Sequence, residues 1–512
     1  MRTATESLVT TRDVPWMLGL MVVALVPRLV WASGVGLADD WVFRGEVASI
    51  LNGHVLLDNQ TYRFTWWFPT ALSCRLLGLT EVGLIAPFTV TATLGVAVVY
   101  LLGKAFWDQA TGIVAALLLA VTPLDFAWST MMTNDIMLSF WSGVTVLLAL
   151  RALGHTDPLW RRRFWMLAGG AFWLAYHVKL TAVFLLPVVG VLAFAHRPLA
   201  DRHALCFVAT VSMLVVGSSL VLYVITGDAL FHYTAELQFQ GLSGPEAARR
   251  QLEWLQFWYF PRQLFLPNHL GDMVFSVWPW VLVACVTLGR FVGLAGSGVV
   301  LAWLVVTFLG MQLNVHRAEG LWVSGFRNVR HLHCIVYPMV LLIAGYLVSL
   351  RRQSPASAHV LVAALLVCGA WQSVSTARKT QIAFADRRQA CTRLLALTGK
   401  PLYGDDGIVT WCTVLDPTNG PRQVLPLPDD PGTRGIRLTE IPEAYVVTGG
   451  AREPLYGCAP CIASADDFLE KERWRLVAEF PDPIPPVPWR DEPLRIWETV
   501  PPVHTVTAAD DA

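Results

Sequence analysis

Charge is the scarcest commodity in this sequence. Asp, Glu, Lys and Arg make up 15% of its 512 residues, where ordinary soluble domains carry about 25%, so the chain cannot clothe itself in a normal water-facing surface. An ordinary soluble protein is thereby excluded. Net charge is missing too: 38 basic residues balance 38 acidic ones, which removes nucleic acid as the main partner, because that needs a basic surface. No internal repeat or low-complexity tract is evident, and inverted repeats, a mark of many secondary transporters, are not detectable. Cysteine is sparse, with nine in all. Cys391, Cys412, Cys458 and Cys461 fall in the C-terminal tail, the last two as "CAPC". No second CxxC or His cluster accompanies that pair, so structural disulfides are expected there in place of a redox or zinc site.

What the chain has is apolar residue in long runs. Hydrophobic types reach 54% and the mean hydropathy is +0.50, values that predict a polytopic membrane protein. Its 22 Trp suit long membrane interfaces. Runs able to cross about 30 Å of hydrocarbon lie near residues 15–32, 82–103, 111–125, 136–153, 164–177, 180–195, 204–225, 273–292, 295–313, 332–350 and 357–374. The expected fold is therefore all-α, with about eleven transmembrane helices. The first run lacks a small-residue cleavage site and reads as a retained helix.

Lys and Arg flanking a membrane helix favour the cytoplasmic side. With a cytoplasmic N-terminus, Lys104, Arg161, Arg162, Arg163, Arg197, Arg202, Arg290, Arg351 and Arg352 all fall inside. Loops near 33–81, 126–135, 226–272 and 314–331 then lie outside, with the whole tail after residue 375. Arg249, Arg250, Arg262, Arg317, Arg327 and Arg330 break the rule by standing outside. In the tail, an apolar pattern at helical spacing ends on Gly399, and short β-like runs follow: "GIVTWCTVL", "EAYVVTG", "WRLVAEF" and "LRIWETV". The division is a membrane domain over 1–375 and a small extracytoplasmic α/β domain over 376–512.

Two acids, Asp39 and Asp40, open the first outer loop in "GLADDWVFRGEVASILNG". A carboxylate where water is partly excluded is prepared as a general base by desolvation or by a neighbouring cation; the alternatives are a helix cap or a solvated loop acid. Asp125 and Asp135 flank the second outer loop, and Asp135 with Asn134 equally suits the cap of the helix that follows. The basic set lies on the same predicted side: Arg63, His177, Lys179, Arg327, Arg330, His331 and His333. Cations are expensive at membrane depth, so their clustering points to an anionic ligand such as a phosphate or diphosphate headgroup. For any one of them, snorkelling to lipid heads is the simpler account.

The order of these features resembles the integral-membrane GT-C glycosyltransferases, in the branch of the protein O-mannosyltransferases and the lipid A aminoarabinose transferase. Those enzymes place an acidic pair after the first helix, followed by an aromatic, a small residue and a glycine; here Asp39, Asp40, Phe43, Ala48 and Gly53 stand at matching places. Asp135 matches the second acid, before the fourth helix, and Lys179 the basic residue after the fifth. The family's Lys-Pro-Pro segment is reduced to Arg63 with a lone Pro69, and "RHLHCIVYP" resembles the late basic segment before a Tyr-Pro helix start. The resemblance covers about the first 200 residues well and the rest loosely.

It implies an inverting transferase that moves a sugar from a polyprenyl-phosphate donor to a hydroxyl of a glycan, lipid or protein acceptor at the outer membrane face. Asp39, Asp40 and Asp135 are the expected catalytic acids, and the basic set the donor-phosphate contacts. No cofactor is required; a divalent cation on Asp40 or Asp135 is optional, since no ligand spacing demands a metal. The expected location is a bacterial inner or plasma membrane. The rival reading is a secondary transporter or flippase for an anionic lipid-linked substrate, which the long outer loops and the soluble tail disfavour. A structural or assembly protein is a third.

Overall fold

The computed structural model describes residues 10–35, 39–54, 62–194, 201–239, 258–266, 278–287, 296–318, 321–324, 329–383, 385–404, 412, 424–426, 429–430, 435–436, 443–448, 474–480 and 494–499. These fall into two compact units. The first holds Met1–Ser33, Glu46–Leu72 and Ile85–Ala377; the second holds Gly34–Gly45, Ser73–Leu84 and Arg378–Ala512.

Among the described residues, six helices are long and apolar enough to cross a membrane: Asp13–Val30, Glu81–Phe106, Asn134–Gly154, Arg202–Thr226, Val329–Gln353 and Pro355–Lys379. Three shorter apolar ones are Gln109–Ala120, Leu180–Phe194 and Ser297–Gln312. The run read near 111–125 is broken because Thr122 leaves the helical region and Pro123 opens a new short helix, Pro123–Trp128; proline has no N–H to continue the ladder. The run near 164–177 starts earlier than read, at Pro158, where the Asp157 carboxylate accepts the Leu159 N–H at 2.8 Å. Of the run near 273–292, Trp278–Thr287 is helical and the flanks lie outside the described residues. The stretch read as an outer loop over 33–81 contains two further helices, Asp39–Leu51 and Phe64–Leu77.

Burial sorts the spans. Only 11% of the Arg202–Thr226 window is buried, although its hydropathy is 2.3, whereas 89% of the Val329–Gln353 window is buried. An apolar helix that shows its side chains outward needs lipid as its solvent. The buried one is the hub of the first unit. Its Tyr337 fits because Gly95 and Gly143 face it, and a Cβ at either would collide with the ring or its hydroxyl. The turn before that hub is pinned by charge. Arg28 donates to Asp125 and, at 2.9 Å, to Ser129 Oγ, while Asp125 Oδ1 accepts from His333 Nε2 at 2.8 Å. His333 Nδ1 lies 2.6 Å from Ser139 Oγ. Four segments are thus tied together through Asp125 and His333.

In the second unit, Glu81 holds Arg388 through both carboxylate oxygens, at 2.5 and 3.1 Å, and accepts the Val35 N–H at 2.8 Å. A five-stranded sheet follows in the order Val424–Pro426, Leu402–Gly404, Tyr445–Thr448, Leu494–Thr499, Trp474–Phe480. Its first three strands run parallel and the last two pairings are antiparallel. Helix Ala385–Ala396 covers one face. Three of the four β-like runs are strands here; "GIVTWCTVL" lies outside the described residues except for Cys412, which is disulfide-bonded to Cys391. Cys458 and Cys461 also lie outside them.

Candidate functional site

The first unit gathers charge around Asp135. This residue opens helix Asn134–Gly154, just after Thr133 leaves the helical region, so its carboxylate sits at the positive end of the helix dipole. Lys179 occupies the break between helix Pro158–Tyr176 and the 3-10 turn Leu180–Leu185, with extended backbone (φ −162°, ψ 135°) that turns its side chain out of either helix. Its Nζ donates to Asp135 Oδ1 at 3.0 Å. From the turn that His333 pins, Arg330 Nε approaches Asp135 Oδ2 at 3.7 Å, and His331 is buried beside them. Burial pushes the Lys179 ammonium below its ordinary value; Asp135 pulls it back up, and Arg330 and Arg63 press it down again.

Arg63, just ahead of helix Phe64–Leu77, is the second cation, after Arg330, whose field Lys179 feels. It is buried and ion-paired to Glu236 of helix Phe231–Phe239. Tyr62 completes the contact: its hydroxyl donates to Glu236 Oε2 at 2.7 Å and accepts from Arg63 Nε at 3.1 Å. Burial by itself would lower the Arg63 pKa, but Glu236 and Tyr62 outweigh it and hold the guanidinium above its usual value. Three cations, Arg63, Lys179 and Arg330, therefore share one buried neighbourhood with two carboxylates. Each cation is stripped of most of its water and aimed by a partner, an arrangement chemically able to receive an anion.

Not every predicted residue joins this set. His177 Nδ1 lies 2.6 Å from the Tyr62 carbonyl oxygen and Nε2 lies 3.2 Å from Ser218 Oγ; His333 is held by Asp125 and Ser139. Both rings have both nitrogens engaged by these protein partners. Arg327 lies outside the described residues. Asp39 and Asp40 open helix Asp39–Leu51 in the second unit; the Asp40 side chain is buried with Phe43, and Gly53 takes φ +83° just past the helix end. The acidic pair begins a helix and not the open loop expected. Among the described residues, no group of three or more His, Cys, Asp or Glu could hold a metal ion. The divalent role entertained for Asp135 does not fit, since Lys179 and Arg330 already surround that carboxylate with positive charge.

Sequence reading missed Tyr62, Glu236 and the Arg28–Asp125 pair. A signal existed for Glu236: it stands one helical turn from His232 in "FHYTAELQF", a short segment with a single acid, which is costly in a membrane setting without a partner.

Residues 64–222 match the family model described as dolichyl-phosphate-mannose-protein mannosyltransferase. No curated protein matches the chain. Among solved structures, ArnT from Cupriavidus metallidurans bound to undecaprenyl phosphate superposes with a TM-score of 0.60 at 14% identity, over 95% of this chain and 98% of that one. The oligosaccharyltransferase AglB from Archaeoglobus fulgidus, in complex with an inhibitory peptide and a dolichol-phosphate, gives 0.51 at 12%, over 92% and 80%. The arabinofuranosyltransferase AftD from Mycobacteria gives 0.51 at 16%, over 96% of this chain and 42% of that longer one. These three are GT-C glycosyltransferases. With several apolar helices, the fold of these structures over nearly its whole length and the mannosyltransferase family pattern over residues 64–222, the chain is an integral membrane protein with a fold similar to that of the GT-C glycosyltransferases.

Proposed function

We propose that the protein is an inverting glycosyltransferase that moves a hexose or pentose from a polyprenyl-phosphate donor to an acceptor hydroxyl at the outer face of a bacterial inner membrane. The observation that carries this reading is the buried neighbourhood of the first unit in which Lys179 and Arg330 meet at Asp135 and Arg63 comes close to Lys179, its neighbour Tyr62 contacting His177 two residues before that lysine. The bond between the anomeric carbon and the phosphate oxygen breaks, and its electron pair leaves on the phosphate, where the three cations stabilise it. The acceptor oxygen bonds to the anomeric carbon from the opposite side, through an oxocarbenium-like centre as in glycoside hydrolysis. Its proton goes to a carboxylate, a role we give to Asp39, with Asp40 positioning it. Asp135 orients Lys179 and Arg330, and His177 and His333 brace the segments that carry Arg63 and Arg330.

Support comes from the bound undecaprenyl phosphate in the ArnT structure and the dolichol-phosphate in the AglB structure. A donor held from the outer leaflet accords with the basic residues that break the inside rule, with the N-terminus in the cytoplasm and the tail outside. A divalent cation remains optional to the chemistry.

The test uses the purified chain in lipid nanodiscs, supplied with polyprenyl-phosphate hexoses and pentoses and with envelope glycans, lipids and peptides as acceptors. Asp39→Asn is expected to lose at least about 10²-fold in turnover while binding undecaprenyl phosphate like the parent. Transfer that proceeds at the parent rate in Asp39→Asn sinks the assignment of the base. Movement of intact donor across the bilayer with no glycosylated product favours the flippase reading instead.

A further inference from the structure

Glu236 is the one carboxylate in the phosphate neighbourhood with no place in the chemistry above. It is a buried anion in a membrane protein, held by Arg63 and by the Tyr62 hydroxyl, and it neutralises the cation best shaped to grip a phosphate. A structural account would call it a counter-ion that makes burial of Arg63 tolerable. The charge balance asks for more. Glu236 holds a negative charge directly beside Arg63, where a bound phosphate would bring its own.

The donor and the product differ in charge. A sugar joined to a polyprenyl phosphate makes a phosphodiester with a single negative charge. When the glycosyl bond breaks, the departing carrier is a phosphomonoester, whose second ionisation near pH 6 gives it about −1.5 to −2 at neutral pH. The extra charge appears where Glu236 already supplies one.

We infer that Glu236 acts as an electrostatic release device: it tolerates the singly charged donor beside Arg63 and repels the more highly charged carrier phosphate once transfer has occurred. The proposal rests on the reading that these cations hold a lipid phosphate. It makes Glu236 a residue that sets the preference between diester and monoester. No bond to Glu236 forms; the ion pair loosens as the phosphate approaches and re-forms as it leaves.

The experiment measures binding of undecaprenyl phosphate and of its methyl phosphodiester to the full chain in neutral-lipid nanodiscs. In the parent the two should bind within about threefold of each other at pH 7.5, since the added charge meets Glu236. Glu236→Gln keeps the shape and should bind the monoester about tenfold tighter and the diester about threefold tighter, in keeping with their charges. Its monoester affinity should rise with pH through about 6, and the parent's should stay flat. Steady-state turnover should fall while the first turnover keeps its rate. Glu236→Asn serves as the second variant should the glutamine form fail to fold, with the same shift expected. A merely structural counter-ion would change both affinities by the same factor, and that result overturns the proposal while leaving the phosphate site standing. A parent that strongly prefers the monoester overturns it without any variant. A parent that binds neither ligand overturns the phosphate site itself, and the release device with it.

Discussion

Lys179→Met separates the structural and functional meanings of the central ion pair. Lys179 Nζ stands 3.0 Å from Asp135 Oδ1, with side chains 10% and 2% exposed. Removing one partner of a buried pair costs about 3–5 kcal/mol, chiefly by stranding the other charge. Arg330 remains at 3.7 Å, so the loss should sit at the low end, about 3 kcal/mol. For the ligand, one unit charge about 4 Å from a phosphate at an effective dielectric of 20 is worth about 4 kcal/mol at most. Desolvation and the two remaining cations cut this to about 2 kcal/mol, or about a 30-fold weaker Kd. The double variant with Asp135→Asn then decides. Both charges are gone, so thermal stability in nanodiscs should return to within about 1 kcal/mol of the parent, while undecaprenyl phosphate binding stays weak. Should the double variant bind the lipid phosphate and turn over like the parent, the pair is only a strut and the assignment of Lys179 to the donor fails.

Three further outcomes follow from the same structure. His232, buried against Tyr62 and His177 with ring centroids 4.8 and 4.9 Å away, is pushed down to about 4 by burial and by His177. The folded form therefore resists protonation that the unfolded chain accepts near 6.5, and the stability present above that pH should fall by up to about 3 kcal/mol as pH drops towards 4. Melting curves from pH 7.5 to 4.5 measure the slope, and His232→Phe should flatten it. Reducing Cys391–Cys412, which closes a separation of 21 residues, should destabilise the second unit by about 3 kcal/mol, seen as faster proteolysis there with thiol present; equal rates would contradict it. Arg28→Met leaves Asp125 buried with the His333 ring as its remaining side-chain partner across the turn, and should lower stability by about 3–5 kcal/mol in the same melting assay. A melting point like the parent's would mean that the Asp125 network does not hold the hub.

The membrane spans were legible because hydropathy is a property of neighbouring residues: 82–103, 136–153 and 204–225 became Glu81–Phe106, Asn134–Gly154 and Leu205–Thr226. Helices Asp39–Leu51 and Phe64–Leu77 were hidden, the first by a weak amphipathic pattern and the second by Pro69 inside it. The candidate cations were visible one by one, since a Lys or Arg beside an apolar run stands out wherever it falls. Their partners were not. Lys179 finds Asp135 across 44 residues, Arg63 finds Glu236 across 173, and His333 finds Asp125 across 208. The amino-acid order alone thus determined that the chain enters lipid, roughly where it does so, and which residue types could meet an anion. Tertiary structure decided which cations share a neighbourhood, which histidines are spent as braces, and that a glutamate attends Arg63. The reason is physical: partition into lipid sums over adjacent side chains, whereas an ion pair depends on which distant helices pack together.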